Sequence, residues 1–235
     1  MENMNNMNNY ENDNMQNWQQ QEELPSYQRE LSRRQYNVLI GVHLLYGLAL
    51  TAFICMKLPY IMPQIYSVHP VAFTVGFFAI CLFGGVIGKR ENYILSFISY
   101  TLIVLAFGAS LSFTLLFYPV YLIFIAAILT FVVVLTMTVA AVFMPNAFLS
   151  LGKVLFISLI GLVIAELTCV ALGLFIPNFL LLIGIFIFSL YVGYDWARGQ
   201  QYPSTPSYAC YTALQLYMDI INLFIRILRL MDRRR

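Results

Sequence analysis

The last apolar stretch of the chain, from Tyr208 to Met231, places the tightest constraint on the fold. It is long enough to cross a bilayer as a helix, which takes about 20 residues. On a helix, its polar side chains form a stripe within roughly 100° of one another: Thr212, Gln215, Asp219, Asn222, Arg226 and Arg229. A charged side chain at the bilayer centre costs at least about 2.5–3.5 kcal/mol. This polar stripe should therefore face a protein interior or a water-filled cavity. The alternative is a helix lying on the membrane surface.

The composition of the whole chain is that of a membrane protein. Of its 235 residues, 60% are hydrophobic and 10% are charged, whereas a soluble domain carries about 25% charged residues. This predicts an all-α, polytopic membrane protein in contact with the lipid bilayer, with no nucleic-acid partner. The cysteines and histidines are scattered without metal-ligand spacing, so we predict no cofactor and no tightly bound metal: Cys55, Cys81, Cys169, Cys210, His43 and His69.

The hydropathy pattern predicts seven transmembrane helices joined by short connections, which leave no room for a separate soluble domain. Their predicted ranges are 37–57, 70–88, 93–116, 119–143, 148–173, 176–195 and 208–231. The third helix ends and the fourth begins around Tyr118 and Pro119, so these two helices should form a tight hairpin.

The N-terminal segment differs in composition from everything after it. Residues 1–23 are rich in Asn and Gln and almost free of aliphatic side chains, so they cannot form a core. The segment has no basic start followed by an apolar run, as a signal peptide would. We predict a disordered cytoplasmic tail over residues 1–30 and a membrane domain over residues 31–235.

Basic residues near the helix ends predict the orientation. With the N-terminus in the cytoplasm, the outer loops hold only Lys57, and the inner segments hold Arg29, Arg33, Arg34, Lys89, Arg90, Lys153 and Arg198. A spanning last helix, which we favour, leaves the basic C-terminus outside. A re-entrant last helix would keep it in the cytoplasm. The sequence predicts a multi-pass integral membrane protein, and both a bacterial inner membrane and a eukaryotic endomembrane stay open.

Three acids lie inside the apolar segments, and each is a functional-site hypothesis: Glu166, Asp195 and Asp219. Folding the last two helices back to back about Pro203 and Pro206 brings the two aspartates within about one to two turns in depth. Two carboxylates sharing one site cannot both ionise easily, so they share a proton. Such a pair is either a proton sensor or a cation site.

Simpler roles exist for each acid. Asp195 could pair with Arg198 at the cytoplasmic end of its helix, and Asp219 could make a structural hydrogen bond to a neighbouring helix. Glu166 is either a third proton-binding group or the partner of a polar helix, and the sequence does not choose between the two.

Around the aspartates the sequence resembles a known family. The stretch LYVGYDWARGQ, followed by YTALQLYMDIINLFIRILRLM, is similar to the C-terminal signature of the Bax inhibitor-1 family, also called transmembrane Bax-inhibitor-motif or lifeguard proteins. That signature runs YD, a polar loop, then LYLDIINLF and a leucine-rich end. Weaker resemblance extends upstream through residues 92–112 and AAILTFVVVLTMT, and covers residues 30–231 in all.

The resemblance implies a seven-helix membrane fold with the last helix at its centre, wrapped by the other six. It also implies a pH-sensitive calcium leak channel that acts in calcium homeostasis and regulation of apoptosis. Asp195 and Asp219 would be its pH sensor, and a basic residue would latch one of them; the candidates are Lys89, Arg90 and Arg198. Gln215 and Asn222 would add oxygen ligands for the permeant calcium ion.

The sequence departs from the family pattern in two places. Tyr100-Thr101 is followed by LIVL without the acid that many members carry in the third helix, and Glu166 is the candidate to replace it. Trp196 and Ala197 also stand where small polar residues usually follow YD.

Two other functions compete with the channel. A non-conducting adaptor would act through membrane-protein partners, by way of the tail or the basic C-terminus. An intramembrane aspartyl protease also carries YD on one helix, but it needs GxGD before its second aspartate and a PAL turn afterwards. Here the second aspartate follows LYM and no PAL is present, so we expect no enzymatic activity.

Overall fold

The computed structural model describes residues 30–61 and 92–232, and all the regular structure in these ranges is α-helical. The helices are α1 (Arg33–Ile61), α2 (Tyr93–Leu115), α3 (Val120–Phe143), α4 (Pro145–Ser150), α5 (Gly152–Ala171), α6 (Asn178–Gly199) and α7 (Pro206–Asp232). The all-α membrane fold is thus confirmed. The predicted helix 70–88 and the predicted tail up to residue 29 lie outside the described residues.

Helix ends follow local sequence signals. The Asn92 side chain caps α2 by accepting hydrogen bonds from the amides of Ile94 and Leu95. Pro119 and Pro177 precede α3 and α6 in extended conformation, as the fixed proline φ favours.

The predicted single helix 148–173 is wrong in detail, because the structure divides it into α4 and α5. Pro145 starts α4 early, at a position that suits a residue without an amide hydrogen. Leu151 ends α4 and precedes α5. A Cβ on Gly152, the next residue, would lie 2.8 Å from the Tyr194 hydroxyl, so a larger residue would not fit at this close approach.

Helix α7 lies at the centre of the bundle. It packs against α1, α2, α3 and α6, and most of its residues are buried. Helices α3 and α5 instead leave large apolar side chains on the surface, such as Phe131 and Ile157, where lipid would surround them. The expectation of a central last helix is met for the part of the bundle that the structure describes.

Contacts between helices fix their directions. Gly199 meets Thr212 close to the turn, while Gly184 meets Arg226 far from it, so α6 and α7 form an antiparallel hairpin. At the same end of the bundle, the Leu31 amide donates to the Ser204 carbonyl at 2.7 Å. We call this the basal end.

The opposite, distal end holds the last turn of α7. Arg229 and Asp232 line a cavity there together with Phe113 at the end of α2 and Phe117 in the following turn. Helix α7 therefore runs from one end of the described bundle to the other.

Five of the described helices are long and apolar enough to cross a membrane: α1 (over Arg33–Tyr60), α2, α3, α5 and α6. Helix α7 is equally long, but its polar stripe makes it less apolar. Because the basal end carries Arg33, Arg34, Lys153 and Arg198, the basic-residue rule predicts that it faces the cytoplasm.

Helices α1, α2 and α7 meet around a buried group of tyrosines. Tyr100 donates a hydrogen bond from its hydroxyl to the His43 carbonyl at 2.7 Å, and the Thr51 and Tyr217 hydroxyls lie 2.6 Å apart. A Cβ on Gly47 would lie 2.1 Å from the Tyr100 hydroxyl and 3.2 Å from the Tyr217 ring. Glycine at this position therefore allows the three helices to approach closely.

Replacing Gly47 with alanine should destabilise the bundle by about 1–3 kcal/mol, because the added methyl group overpacks this junction. The matched control is Gly41→Ala on the same helix, where a Cβ would meet nothing within 4 Å; it should stabilise by up to about 1 kcal/mol through helix propensity. Thermal unfolding of the two variants in detergent measures the difference. Equal effects would contradict the close-packing role of Gly47.

Candidate functional site

The structure brings the two predicted aspartates together. Asp195 lies in the last turn but one of α6 and Asp219 lies in the middle of α7, and each side chain is about 6% exposed. Their carboxyl groups are within hydrogen-bonding reach of each other. In a helix each Cα–Cβ bond tilts towards the N-terminus, so in this antiparallel hairpin the two side chains lean towards one another.

One oxygen of this pair lacks a donor. Asp219 Oδ2 is buried and has no hydrogen-bond partner among the described residues. A buried acceptor left unsatisfied loses roughly 1–3 kcal/mol. A proton shared between the two carboxyl groups would satisfy this oxygen and would also remove the repulsion between two buried negative charges.

The side chains beside the pair are aromatic and basic. Tyr191, one turn before Asp195, is close enough to both carboxyl groups to interact with them electrostatically. The Arg198 guanidinium lies over the rings of Tyr194 and Tyr202, at 5.8 and 5.9 Å from their centroids.

Arg198 makes no ion pair with Asp195 in this arrangement. Within residues 30–61 and 92–232, the one ion pair closer than 4.0 Å joins Arg226 to Glu166. Arg198 still acts on Asp195 electrostatically. The alternative of a simple Asp195–Arg198 pair is therefore not the arrangement observed. The other two latch candidates, Lys89 and Arg90, lie outside the described residues.

The predicted accessory groups occupy the same helix as Asp219. Gln215, one turn before it, is half-buried, and its Oε1 atom is buried without a partner among the described residues. Asn222 donates from its side-chain amide to the Met218 carbonyl at 2.8 Å. Gln215 thus has a free oxygen near the pair, whereas the Asn222 NH₂ group is bonded to its own helix.

Arg226 and Glu166 form a second charged site on α7. The guanidinium donates to both carboxylate oxygens, Nη1 to Oε1 and Nη2 to Oε2, the latter at 3.3 Å. It also lies 5.0 Å from the centre of the Phe188 ring. A Cβ on Gly184 would lie 2.6 Å from Nη1, so the glycine makes room for the guanidinium.

Sequence reasoning placed Arg226 on the polar stripe but did not identify it as the partner of Glu166. The two residues lie on helices that are not neighbours in sequence. The available signal was the cost of burying either charge alone, since ionisable residues at membrane depth almost always pair with one another or with backbone carbonyls. Arg226 lies about 10 Å beyond Asp219 along α7, so the ion pair and the aspartate pair are separate sites.

These features define a class: a multi-pass integral membrane protein whose central helix buries an arginine and an aspartate that faces a second aspartate on the neighbouring helix. A family model described as inhibitor of apoptosis-promoting Bax1 matches residues 28–235. The chain therefore belongs to the Bax inhibitor-1 family, as its C-terminal signature indicated. A search of curated proteins found no match to the sequence.

Changing Asp219 to Asn should stabilise the protein at pH 8 by about 1–3 kcal/mol, because the amide can donate to Asp195 without adding a second negative charge. At pH 5 the difference should shrink, since a proton then makes the same link in the wild type. Thermal unfolding in detergent at the two pH values measures both effects. The control is Asp232→Asn at the exposed end of α7, which should give no such pH-dependent difference. A variant less stable than the wild type at pH 8 would contradict the shared proton.

Proposed function

We propose that this protein is a calcium leak channel whose conduction depends on the protonation of Asp195 and Asp219, and that it acts in calcium homeostasis and the regulation of cell death. The observation that carries the proposal is the facing of these two buried carboxyl groups on the central hairpin, with one Asp219 oxygen lacking a donor. Membership of the Bax inhibitor-1 family supports the same function.

The proton state of the pair sets the charge at the middle of the bundle. With one proton shared, the two carboxyl groups carry a single negative charge and link α6 to α7. When that proton leaves, two negative charges face each other at close range in a medium of low dielectric constant. Their repulsion favours separation of the hairpin, and their charge attracts a divalent cation.

The ligand set suits passage of calcium better than tight retention. Calcium takes six to eight oxygen ligands. Asp195 and Asp219 offer their carboxylate oxygens, and Gln215 offers Oε1 one turn away. These groups supply only part of a full coordination shell, so water must complete it. A partly hydrated ion is held weakly and leaves readily, which a leak requires.

Calcium efflux from proteoliposomes across pH 5 to 8 tests the proposal. The wild type should show a flux with a single pH midpoint. Asp195→Asn and Asp219→Asn should each weaken the pH response and the double variant should lose it, because an amide cannot exchange the proton. Glu30→Gln, which changes an exposed acid at the basal end, is the control and should keep the response. A full pH response in the double variant would rule out the aspartate sensor.

The same assay gives a second prediction. Protons and calcium compete for the same oxygens, so raising the calcium concentration should move the pH midpoint of the wild-type flux to lower values. A midpoint independent of calcium would place the proton and the ion at different sites. Absence of flux at any pH would favour the non-conducting adaptor, and binding partners in the membrane would then be sought.

A further inference from the structure

The Arg226–Glu166 pair lies between the distal cavity and the aspartate pair. The cavity has a volume of about 620 Å³ and is lined by Leu181 of α6 and Arg229 of α7, among others. One turn deeper, Gly184 of α6 contacts Arg226 of α7. About two turns further along α7 lies Asp219. These positions follow one face of α7, the polar stripe.

In the proposed leak, a cation that moves along this stripe between the cavity and Asp219 passes the Arg226 guanidinium. An isolated positive charge at that point, buried to about 8% exposure, would repel a divalent cation strongly because the surrounding dielectric constant is low. Glu166 accepts hydrogen bonds from both Nη atoms of Arg226. The carboxylate therefore neutralises the positive charge that would otherwise repel a cation at this point.

The pair has the features of a built site. Phe188 offers its ring face to the guanidinium at 5.0 Å, and Gly184 leaves the space it occupies. The Nε atom of Arg226 is buried without a partner among the described residues, so the hydrogen bonds of the guanidinium within the described part of the chain go to Glu166 of α5. Helix α5 itself packs mainly on α6, and this ion pair joins it to α7.

We propose that Glu166 determines the ion specificity of the pathway by neutralising Arg226. With the pair intact the distal half of the pathway passes cations. With Glu166 neutralised, the remaining charge of Arg226 turns this segment into a barrier for cations and an attractive site for small anions. This inference rests on the proposed calcium leak. It adds a role for Glu166, which lies on α5 and is remote from the two aspartates.

The test uses the full chain in proteoliposomes at one fixed pH, with entrapped calcium-sensitive and chloride-sensitive dyes. Glu166→Gln should lower calcium flux by at least about tenfold and raise chloride flux, because a single uncompensated charge at close range acts with little screening. Arg226→Gln should keep calcium flux and admit no chloride. The double variant, which carries no charge at the site, should return calcium flux to within about threefold of the wild type. Arg34→Gln, exposed at the basal end, is the control.

The double variant separates a charge effect from a purely structural one. If the pair serves only to hold α5 against the bundle, both single variants should lower calcium flux alike and the double variant should not recover, which would overturn the proposal. Thermal unfolding of each variant shows which ones fold, and recovery in the double variant supports the charge role even where Glu166→Gln folds poorly.

The outcome also separates this inference from the aspartate proposal. A wild type that leaks calcium with its pH response, beside a Glu166→Gln variant that leaks equally without chloride flux, overturns the role of Glu166 and leaves the aspartate sensor standing. A wild type without any calcium leak overturns both.

Discussion

The structure depends on keeping the polar side chains of one helix away from lipid. Helix α7 carries two acids and two arginines along 27 residues, and in hydrocarbon each isolated charge is strongly unfavourable. The bundle removes this penalty by enclosing α7 between α1, α2, α3 and α6. The outer helices carry the lipid-facing apolar surface that α7 lacks. The other helices are therefore arranged around α7, because α7 cannot face the bilayer.

Enclosure alone does not stabilise buried charges, and each must also find a partner. Arg226 is neutralised by Glu166 from α5. Asp219 faces Asp195 instead of a cation, and its Oδ2 atom has no hydrogen-bond partner among the described residues. About two turns apart, α7 therefore carries an arginine that an ion pair compensates and an aspartate that has no ion-pair partner in the described part of the chain.

Small residues make these pairings possible. Gly184 leaves space for the Arg226 guanidinium. Gly199 leaves space for the Thr212 side chain close to the turn that joins α6 and α7. At both positions a Cβ would lie within 2.7 Å of the facing side chain. Close approach of helix backbones through glycine is a common way to pack helices in membranes, where the hydrophobic effect does not drive association. Here the two close approaches lie on either side of the level at which Asp195 meets Asp219.

Several features were predictable because they depend on local composition or periodicity. Most of the helix ends fall within a few residues of prediction, since proline and asparagine mark them. The break between α4 and α5 at Leu151 was missed. Next to it, Gly152 lies close to Tyr194 of α6, a contact between helices that the local sequence does not specify. The approach of Asp195 to Asp219 was predicted from the proline-containing turn that joins α6 to α7. The Arg226–Glu166 pair was not predicted, because α5 and α7 are not consecutive helices and no single turn joins them.

The sequence by itself determined that this is an all-α membrane protein of the Bax inhibitor-1 family and that its last helix must be enclosed, because hydropathy, helical periodicity and the C-terminal signature are all local properties of the chain. Only the tertiary structure decided that Arg226 pairs with Glu166 and that Asp195 faces Asp219. Partner choice at membrane depth depends on register and side-chain direction between separate helices, which no single stretch of the chain specifies.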